Sequence, residues 1–430
     1  MIRTAVIVAG GQGTRLEKSL KGQPKALAKI DDIPILEHQL NWCGRNGVDR
    51  VYILLGYLSE QFGSFLCRTW DIEISTITEQ APLGTGGCLA SLKGVLKDDF
   101  ILLFGDIYLD ISLEAWCREL NERPSSLSLL VHPNDHPSDS DLVEVNDDEI
   151  VIGFHRKPNH EGKLMRNCAN SGVAILGCQV LDYIKNEKSD FFHDIVPRLL
   201  DADMRVTAYK SSEYLKDCGT PERLADVNRA VKEGIPAKRN LDTPQRAVFI
   251  DRDGTLNVEK GFMNDPLQMQ LIPGAGEAIR ALNDALYLVI VITNQSVIAR
   301  GLCSHKELSR IHGKLDQLLS EKNAYLDDIC FCPHHPDSGY PEEIKQYKRH
   351  CGCRKPGAEL VLNAIRKFNI DINSSFVVGD RTCDIELGNR MGITSILVRT
   401  GAAGEDGHYK ATADFTCDSL SEAVGIILEN

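Results

Sequence analysis

The apolar run Ala247-Val-Phe-Ile250 passes directly into Asp251-Arg-Asp253-Gly-Thr-Leu-Asn257. A strand covered on both faces reads as an unbroken apolar run, and whatever follows it stands at the strand's carboxyl end. Two carboxylates and a glycine turn at that place fit an open α/β sheet, where strand ends form the ligand crevice. The first aspartate can attack phosphorus to form an aspartyl phosphate; the second can protonate the leaving alcohol and then activate water. Such closely spaced anions need a cation. Asp380, ending the strand expected over 376–380, completes a Mg²⁺ set with Asp251 and Asp253, and Asp384, one helical turn on, supports it from behind. Thr293 and Asn294, after the strand expected over 287–293, offer a hydroxyl and an amide to phosphoryl oxygens, and Lys355 offers positive charge.

The chain has 430 residues, room for two or three domains. Its apolar runs are of strand length, well short of a bilayer span. MIRTAVIVAGG enters a strand directly, without the pattern of a signal peptide, so a cytoplasmic protein is expected. A net charge of −13 and the lack of a basic tract argue against nucleic-acid or membrane-surface binding. The 14 cysteines are spread along a long chain, as reduced core residues would be, with a cluster only near 330–353.

Strand-like and helix-like stretches alternate twice. In the first half, strands are expected at 4–9, 50–55, 100–104, 172–176 and 205–209, and helices at 34–46 and 221–231. In the second, strands are expected at 247–251, 287–293 and 376–380, with helices at 274–285 and 306–322. Alternation implies parallel sheets with helices on both faces. Residues 232–246 (KEGIPAKRNLDTPQR) are polar, hold two prolines and have no period. They read as a linker. The expected organisation is therefore a domain over 1–232, a linker over 233–246 and a second domain over 247–430. The halves do not repeat one another, so the fold class is two different three-layer α/β domains.

In the first half, strand TAVIVA feeds GGQGTRL, residues 10–16. A glycine turn there lets backbone N–H groups of Gly10, Gly11, Gly13 and Thr14 approach phosphate oxygens, and Arg15 and Lys25 add charge suited to a triphosphate. The spacing is neither the dinucleotide fingerprint nor a P-loop. PLGTGG at 82–87 is a second flexible loop, and Asp106 ends a strand where it could hold Mg²⁺.

GGQGTRL with Pro24-Lys25, PLGTGG, Gly105-Asp106, Phe154-His-Arg-Lys157-Pro158, Asn170-Ser-Gly172 and Lys216-Asp217-Cys-Gly-Thr-Pro-Glu222, in that order, resemble the sugar-1-phosphate nucleotidylyltransferases. The resemblance covers residues 1 to about 232. It implies a Rossmann-like, GT-A-like domain in which the Gly10 to Thr14 backbone cradles the nucleotide and Arg15 neutralises the departing pyrophosphate. Lys25 would contact the phosphates, Gly84, Thr85, Gly86 and Gly87 would line the base, Asp106 and Asp217 would hold Mg²⁺, and Lys157 and Asn170 would bind the sugar phosphate. Among such enzymes the half is most similar to heptose 1-phosphate guanylyltransferases, which implies GTP as donor.

The second half, with Asp251, Thr293, Lys355 and Asp380 in order, resembles the haloacid dehalogenase (HAD) phosphatases and is expected to be a Rossmannoid domain. Cys332-Pro-His334 and Cys351-Gly-Cys353 offer three thiolates and an imidazole, a closed set of the kind structural zinc takes. A swap with His335 or Cys330 stays open, and His350 reads as a solvated loop residue. Two phosphatase groups carry such a cluster, acting on histidinol phosphate and on heptose 1,7-bisphosphate. TNQSVIARG with CPHHP and CGCRKP is similar to the second, in which Arg300 and Arg354 would help hold a substrate with two phosphates. Jointly the halves imply a bifunctional enzyme of nucleotide-activated heptose synthesis, acting on small molecules, with its oligomeric state open. The rivals are a different nucleotidylyltransferase and phosphatase pair and a sensor of sugar nucleotides.

Overall fold

The computed structural model describes residues 2–11, 22–158, 163–339 and 341–430. These fall into two compact units. The first takes residues 1–131, 143–156 and 170–242; the second takes 132–142, 157–169 and 243–430.

Unit 1 is built on β1 (Thr4–Val8), with α1 (Ile35–Arg45), β2 (Arg50–Leu55), β3 (Glu73–Thr78) and β4 (Phe100–Phe104) following. β1 pairs in parallel with both β2 and β4, and β2 with β3. Ala5, Val6, Ile7, Ile101, Leu102 and Leu103 are fully buried, which is why these strands read as continuous apolar runs. The sheet is not wholly parallel, as the alternation suggests. After β5 (Ile107–Asp110), β6 (Ala169–Leu176) enters antiparallel to β4. Its sequence carries the same apolar signal either way, because strand direction is decided by the connection and not by the run. β7 (Tyr214–Asp217) pairs antiparallel with β5, and α2 (Pro221–Lys232) follows, capped by the Thr220 hydroxyl accepting from Arg223 N.

The stretch 233–242 is docked rather than free. It forms a helical turn at Ile235–Arg239, Arg239 Nη1 donates to Ser212 O at 3.1 Å, and Leu241 N donates to Glu213 Oε1 at 2.9 Å. Five helical residues with a proline in the first turn are too few to show a period.

Unit 2 has a six-stranded, wholly parallel sheet. Its strands are β8 (Ala247–Ile250), β9 (Leu288–Asn294), β10 (Asp328–Cys332), β11 (Phe376–Gly379), β12 (Thr394–Val398) and β13 (Phe415–Cys417), in the spatial order β10-β9-β8-β11-β12-β13. α3 (Ala275–Asp284), α4 (His305–Ser320) and α5 (Thr382–Met391) cover its faces. α4 opens with a capping box between Ser304 and Glu307. Residues 163–167 pack on α4. Arg166 Nε and Asn167 N both donate to Asp316 Oδ2, at 2.8 and 3.0 Å, and a Cβ on Gly313 would meet the Met165 backbone at 2.8 Å. Among the described residues no helix is long and apolar enough to cross a membrane.

Candidate active sites

In unit 2 the parallel sheet brings four chemical groups to one edge. Asp251 follows β8, Thr293 lies near the end of β9, Cys332 ends β10 and Asp380 follows β11. The register fixes them side by side: Ile250 is level with both Val291 and Val378, and Thr293 with Phe331. One oxygen each of Asp251, Asp380 and Asp384 lies within 4.8 Å of the others, and all three residues are buried. Glycine makes room for them. A Cβ on Gly254, whose φ is +82°, would meet Asp380 Oδ2 at 2.5 Å, and one on Gly379 would meet the Asp384 carboxyl at 2.4 Å.

Three buried carboxylates would repel one another without compensation, and Lys355 supplies part of it. Its Nζ is 2.7 Å from both Asp251 Oδ1 and Asp384 Oδ1. Burial works against the lysine's charge, but Asp251 and Asp384 more than offset that and hold it protonated. Burial drives the Asp251 carboxyl up from the usual carboxylate range; Lys355 pulls it back, while Asp384 and Asp380 push it further. Ala402 N donates to Asp380 Oδ2 at 2.6 Å, so a backbone donor orients this carboxylate. Asn294 pairs with the Lys355 backbone in both directions, accepting from its N at 3.0 Å and donating to its O at 3.3 Å.

The side chain of Asp253 is turned elsewhere. It accepts from Arg252 Nη2 at 2.7 Å, from Gln295 Nε2 at 2.8 Å and from Asn257 Nδ2 at 3.0 Å. Burial raises its pKa, yet these donors, led by the Arg252 charge, hold the carboxyl below the ordinary value. The compact carboxylate group is thus Asp251, Asp380 and Asp384, with Asp253 outside it. Gln295 Nε2 also donates to Thr293 Oγ1 at 2.8 Å, and its Oε1 accepts from Arg252 Nη2 at 3.0 Å. The amide's acceptor therefore faces Arg252 and its donors face Thr293 and Asp253. Thr293 accepts this bond, so its hydroxyl proton is directed elsewhere. Neither Arg252 nor Gln295 is expected from sequence reasoning; the only hint is their place inside DRD and TNQS.

A pocket of about 670 Å³ opens over these groups, lined among others by Asp251, Thr293, Arg300, Arg354 and Arg381. Cys332, at the end of β10, gathers with His334, Cys351 and Cys353. Cys353 Sγ is 3.2 Å from Cys332 Sγ, 3.3 Å from Cys351 Sγ and 3.2 Å from His334 Nδ1. All 14 cysteines are free thiols, and sulfurs at these distances are unbonded neighbours of the kind that share a metal. Cys330 and His335 are not in the set. His335 lines the pocket instead.

In unit 1 the strand ends of β1 and β4 carry the candidate groups. Gly10 meets the backbone after β2 so closely that a Cβ on Gly56 would stand 3.0 Å from Gly10 O; Gly11 has open space. Gly13, Thr14 and Arg15 lie outside the described residues. Lys25 Nζ is 3.1 Å from Asp106 Oδ2. The antiparallel pairing of β5 with β7 brings Asp217 beside it, since Cys218 N donates to Asp106 O at 2.7 Å. Arg223, in the first turn of α2, pairs with Asp217. Asn170 sits in β6 and is partly exposed.

PLGTGG is not the loose loop that its composition suggests. Gly84–Gly87 form a helical turn, Thr85 Oγ1 donates to Asp190 Oδ2 at 2.9 Å, and a Cβ on Gly87 would meet Glu187 O at 2.0 Å. At Gly86 and Gly87 the missing side chain serves close packing rather than mobility. Lys157 belongs to unit 2, where its Nζ donates to Asp139 O at 3.1 Å.

Residues 4–234 match the family described as Nucleotidyl transferase, and residues 352–423 match one described as HAD-hydrolase-like. A D-glycero-beta-D-manno-heptose-1,7-bisphosphate 7-phosphatase of Haemophilus ducreyi is 40% identical over 183 residues, 42% of this chain and 97% of that protein. Among solved structures, HddC from Yersinia pseudotuberculosis is similar at 24% identity and a TM-score of 0.47, over 54% of this chain and all of that one. The D,D-heptose 1.7-bisphosphate phosphatase from B. bronchiseptica, complexed with magnesium and phosphate, is similar at 29% identity and a TM-score of 0.38, over 43% of this chain and 99% of that one. The chain belongs to the nucleotidyl transferase family and joins to that enzyme a phosphatase of the HAD type.

Proposed function

We propose that the protein catalyses two consecutive steps of nucleotide-activated heptose synthesis. The second unit removes the 7-phosphate of D-glycero-D-manno-heptose 1,7-bisphosphate. The first then transfers GMP from GTP to the heptose 1-phosphate, giving GDP-heptose and pyrophosphate. The observation that carries this reading is the phosphatase pocket, whose lining brings three arginines, Arg300, Arg354 and Arg381, together with Asp251 and Lys355, more positive charge than one phosphate needs and so suited to a substrate with two. Its product, a sugar 1-phosphate, is what a nucleotidyl transferase consumes.

In the phosphatase, the Asp251 carboxylate attacks phosphorus, the bond from phosphorus to the sugar oxygen breaks, and Asp253, ionised at rest, gives that oxygen a proton it has first taken up from solvent. Asp253 then takes a proton from water, whose oxygen attacks the aspartyl phosphate and frees phosphate and Asp251. Thr293, Asn294 and Lys355 hold the phosphoryl oxygens. Asp251 and Asp380 would hold Mg²⁺, which supplies charge neutralisation, with Asp384 rather than the expected Asp253 as the third carboxylate of the group. Since the Asp253 side chain points to Arg252, Asp384 is the nearer carboxylate to the other two.

Zinc fits the three thiols and the imidazole in number and chemistry, and its role is structural: Cys353 stands two residues before Lys355. In the transferase no protein nucleophile is needed, because the sugar phosphate oxygen attacks the α-phosphorus in line and catalysis is positioning and charge neutralisation. Gly10, Gly11, Gly13, Thr14, Arg15 and Lys25 hold the nucleotide phosphates, and Gly84, Thr85 and Gly86 hold the base. Asn170 holds the sugar phosphate, while Lys157, which belongs to the second unit and donates to Asp139 O, is left out of this site; Asp106 and Asp217 would hold Mg²⁺. Fourteen unbridged cysteines suit a reducing compartment, and we assign the protein to the cytoplasm.

Purified protein given the bisphosphate, Mg²⁺ and each NTP in turn tests the reading. Phosphate release followed by GDP-heptose is expected. No release from the bisphosphate refutes the phosphatase substrate; turnover with CTP, ATP or UTP but not GTP refutes the base.

A further inference from the structure

Arg252 stands between the two aspartates of the DRD motif and is 1% exposed, a buried guanidinium whose N–H donors all need acceptors. Its Nε and Nη2 face Asp253, at 3.2 and 2.7 Å, and Nη2 also donates to Gln295 Oε1 at 3.0 Å. Nη1 meets no acceptor among the described residues. A charged donor buried without a partner is costly, so Nη1 points to a contact that the motif itself does not supply.

His312, on the buried face of α4, is the complement. It is as deeply buried as Arg252, and its Nε2 has no partner among the described residues. Burial, with the Arg252 and Arg166 charges adding to it, holds the ring well below the ordinary histidine pKa, so the imidazole is neutral and offers one nitrogen as an acceptor. Its ring meets Phe331 in a T-shaped contact, 5.8 Å between centroids. Phe331 is level with Thr293 in the sheet, and Gln295 N donates to Cys332 O at 2.8 Å. His312 thus lies against the carboxyl ends of β9 and β10, where Gln295 leaves the sheet to meet Arg252.

We propose that His312 is a positioning residue of the phosphatase: its imidazole is the acceptor for Arg252 Nη1, directly or across one buried water, and so fixes the guanidinium that holds Asp253. This inference rests on the aspartyl-phosphate mechanism above, in which Asp253 gives the leaving oxygen its proton. His312 touches neither the substrate nor the reacting atoms. It acts on the departure of the alcohol, through Arg252 and then Asp253, and a general acid out of line loses its part of the rate.

The test is kcat/KM of the full chain on heptose 1,7-bisphosphate, glycerol 2-phosphate and p-nitrophenyl phosphate, since that ratio reports the steps up to release of the alcohol. The first two esters lose an alcohol that needs a proton; p-nitrophenolate departs without one. In His312→Leu and in His312→Met, which keep apolar bulk and remove the nitrogen acceptor, kcat/KM falls about tenfold on the alkyl esters and less than about threefold on the aryl ester. His312→Gln, whose side-chain oxygen can take the place of Nε2, recovers most of the alkyl-ester activity, which a role in packing alone does not give. Equal losses on alkyl and aryl esters in the apolar variants, or alkyl-ester values equal to wild type, overturn the assignment. Wild-type protein that cleaves glycerol 2-phosphate but not the bisphosphate refutes the bisphosphate reading alone, and the role of His312 is decided on glycerol 2-phosphate. Wild-type protein inactive on both alkyl esters removes the phosphatase reading, and this inference with it.

Discussion

The two candidate sites distribute charge in opposite ways. In unit 1 each carboxylate has its own cation, Asp106 with Lys25 and Asp217 with Arg223. In unit 2 three carboxylates are pooled around a single lysine and shut away from water. A transferase whose nucleophile comes with the substrate needs only a line of charges along a polyphosphate. An enzyme that uses its own carboxylate as nucleophile must concentrate charge at one point and keep it desolvated. On the proposed chemistry the difference teaches that the two reactions, both attacks on phosphorus, ask for different electrostatics, and the expected consequence is that each unit can be disabled without the other.

The largest expected effect comes from Asp251→Asn, which should lower phosphate release by roughly 10³-fold or more while nucleotidyl transfer is retained. Asp106→Asn should do the reverse. Parallel assays of phosphate release and sugar-nucleotide formation check both, and a folded variant that lost both activities would break the comparison.

Next is Lys355→Met, which leaves Asp251 and Asp384 buried without their common cation. Such a broken buried pair costs about 3–5 kcal/mol, to be read as a lower urea midpoint for unit 2, together with loss of phosphatase turnover. Lys25→Met, whose carboxylate partner is more open to water, should cost much less in stability.

Zinc removal, by chelation or Cys353→Ser, should raise KM for the phosphatase substrate and leave transfer intact. Zinc-free protein with full phosphatase activity would contradict the structural assignment.

The smallest effect concerns Glu213 in unit 1. Burial drives its carboxyl up to about 7, although Leu241 N, Ser112 N and the Ser211 hydroxyl pull the other way. Its folded-state pKa lies above the unfolded value, so its contribution to stability is present at low pH and is lost as pH rises through about 7. Glu213→Gln should therefore flatten the fall in melting temperature of unit 1 between about pH 5 and 8. An equally steep fall in the variant would exclude Glu213 as its source.

What could be read from sequence follows physical lines. β2 and β4 run over the expected residues because their side chains meet protein on both faces and leave one apolar run. Asp251, Thr293 and Asp380 were visible because a parallel sheet puts its strand ends together, whatever the loops do. Three things were not visible. The antiparallel entry of β6 depends on a connection, and the packing of Gly87 against Glu187 depends on a residue a hundred positions away. The position of Asp253 depends on Arg252 and Gln295, whose hydrogen bonds turn its side chain away from its neighbours.

Residues 163–167 on α4 bear on how this protein could be divided. A fragment beginning at residue 243 would take α4 without Arg166, Asn167 and Met165. Asp316, 4% exposed in the whole chain, would face water with neither of those donors, and Gly313 would be a bare notch in a helix. Order along the chain and membership of a folded body differ here. A single cut does not yield the intact second body, and anyone wishing to move this phosphatase onto another partner would need to carry along two short pieces of chain, 132–142 and 157–169, that in sequence fall between segments of the first unit.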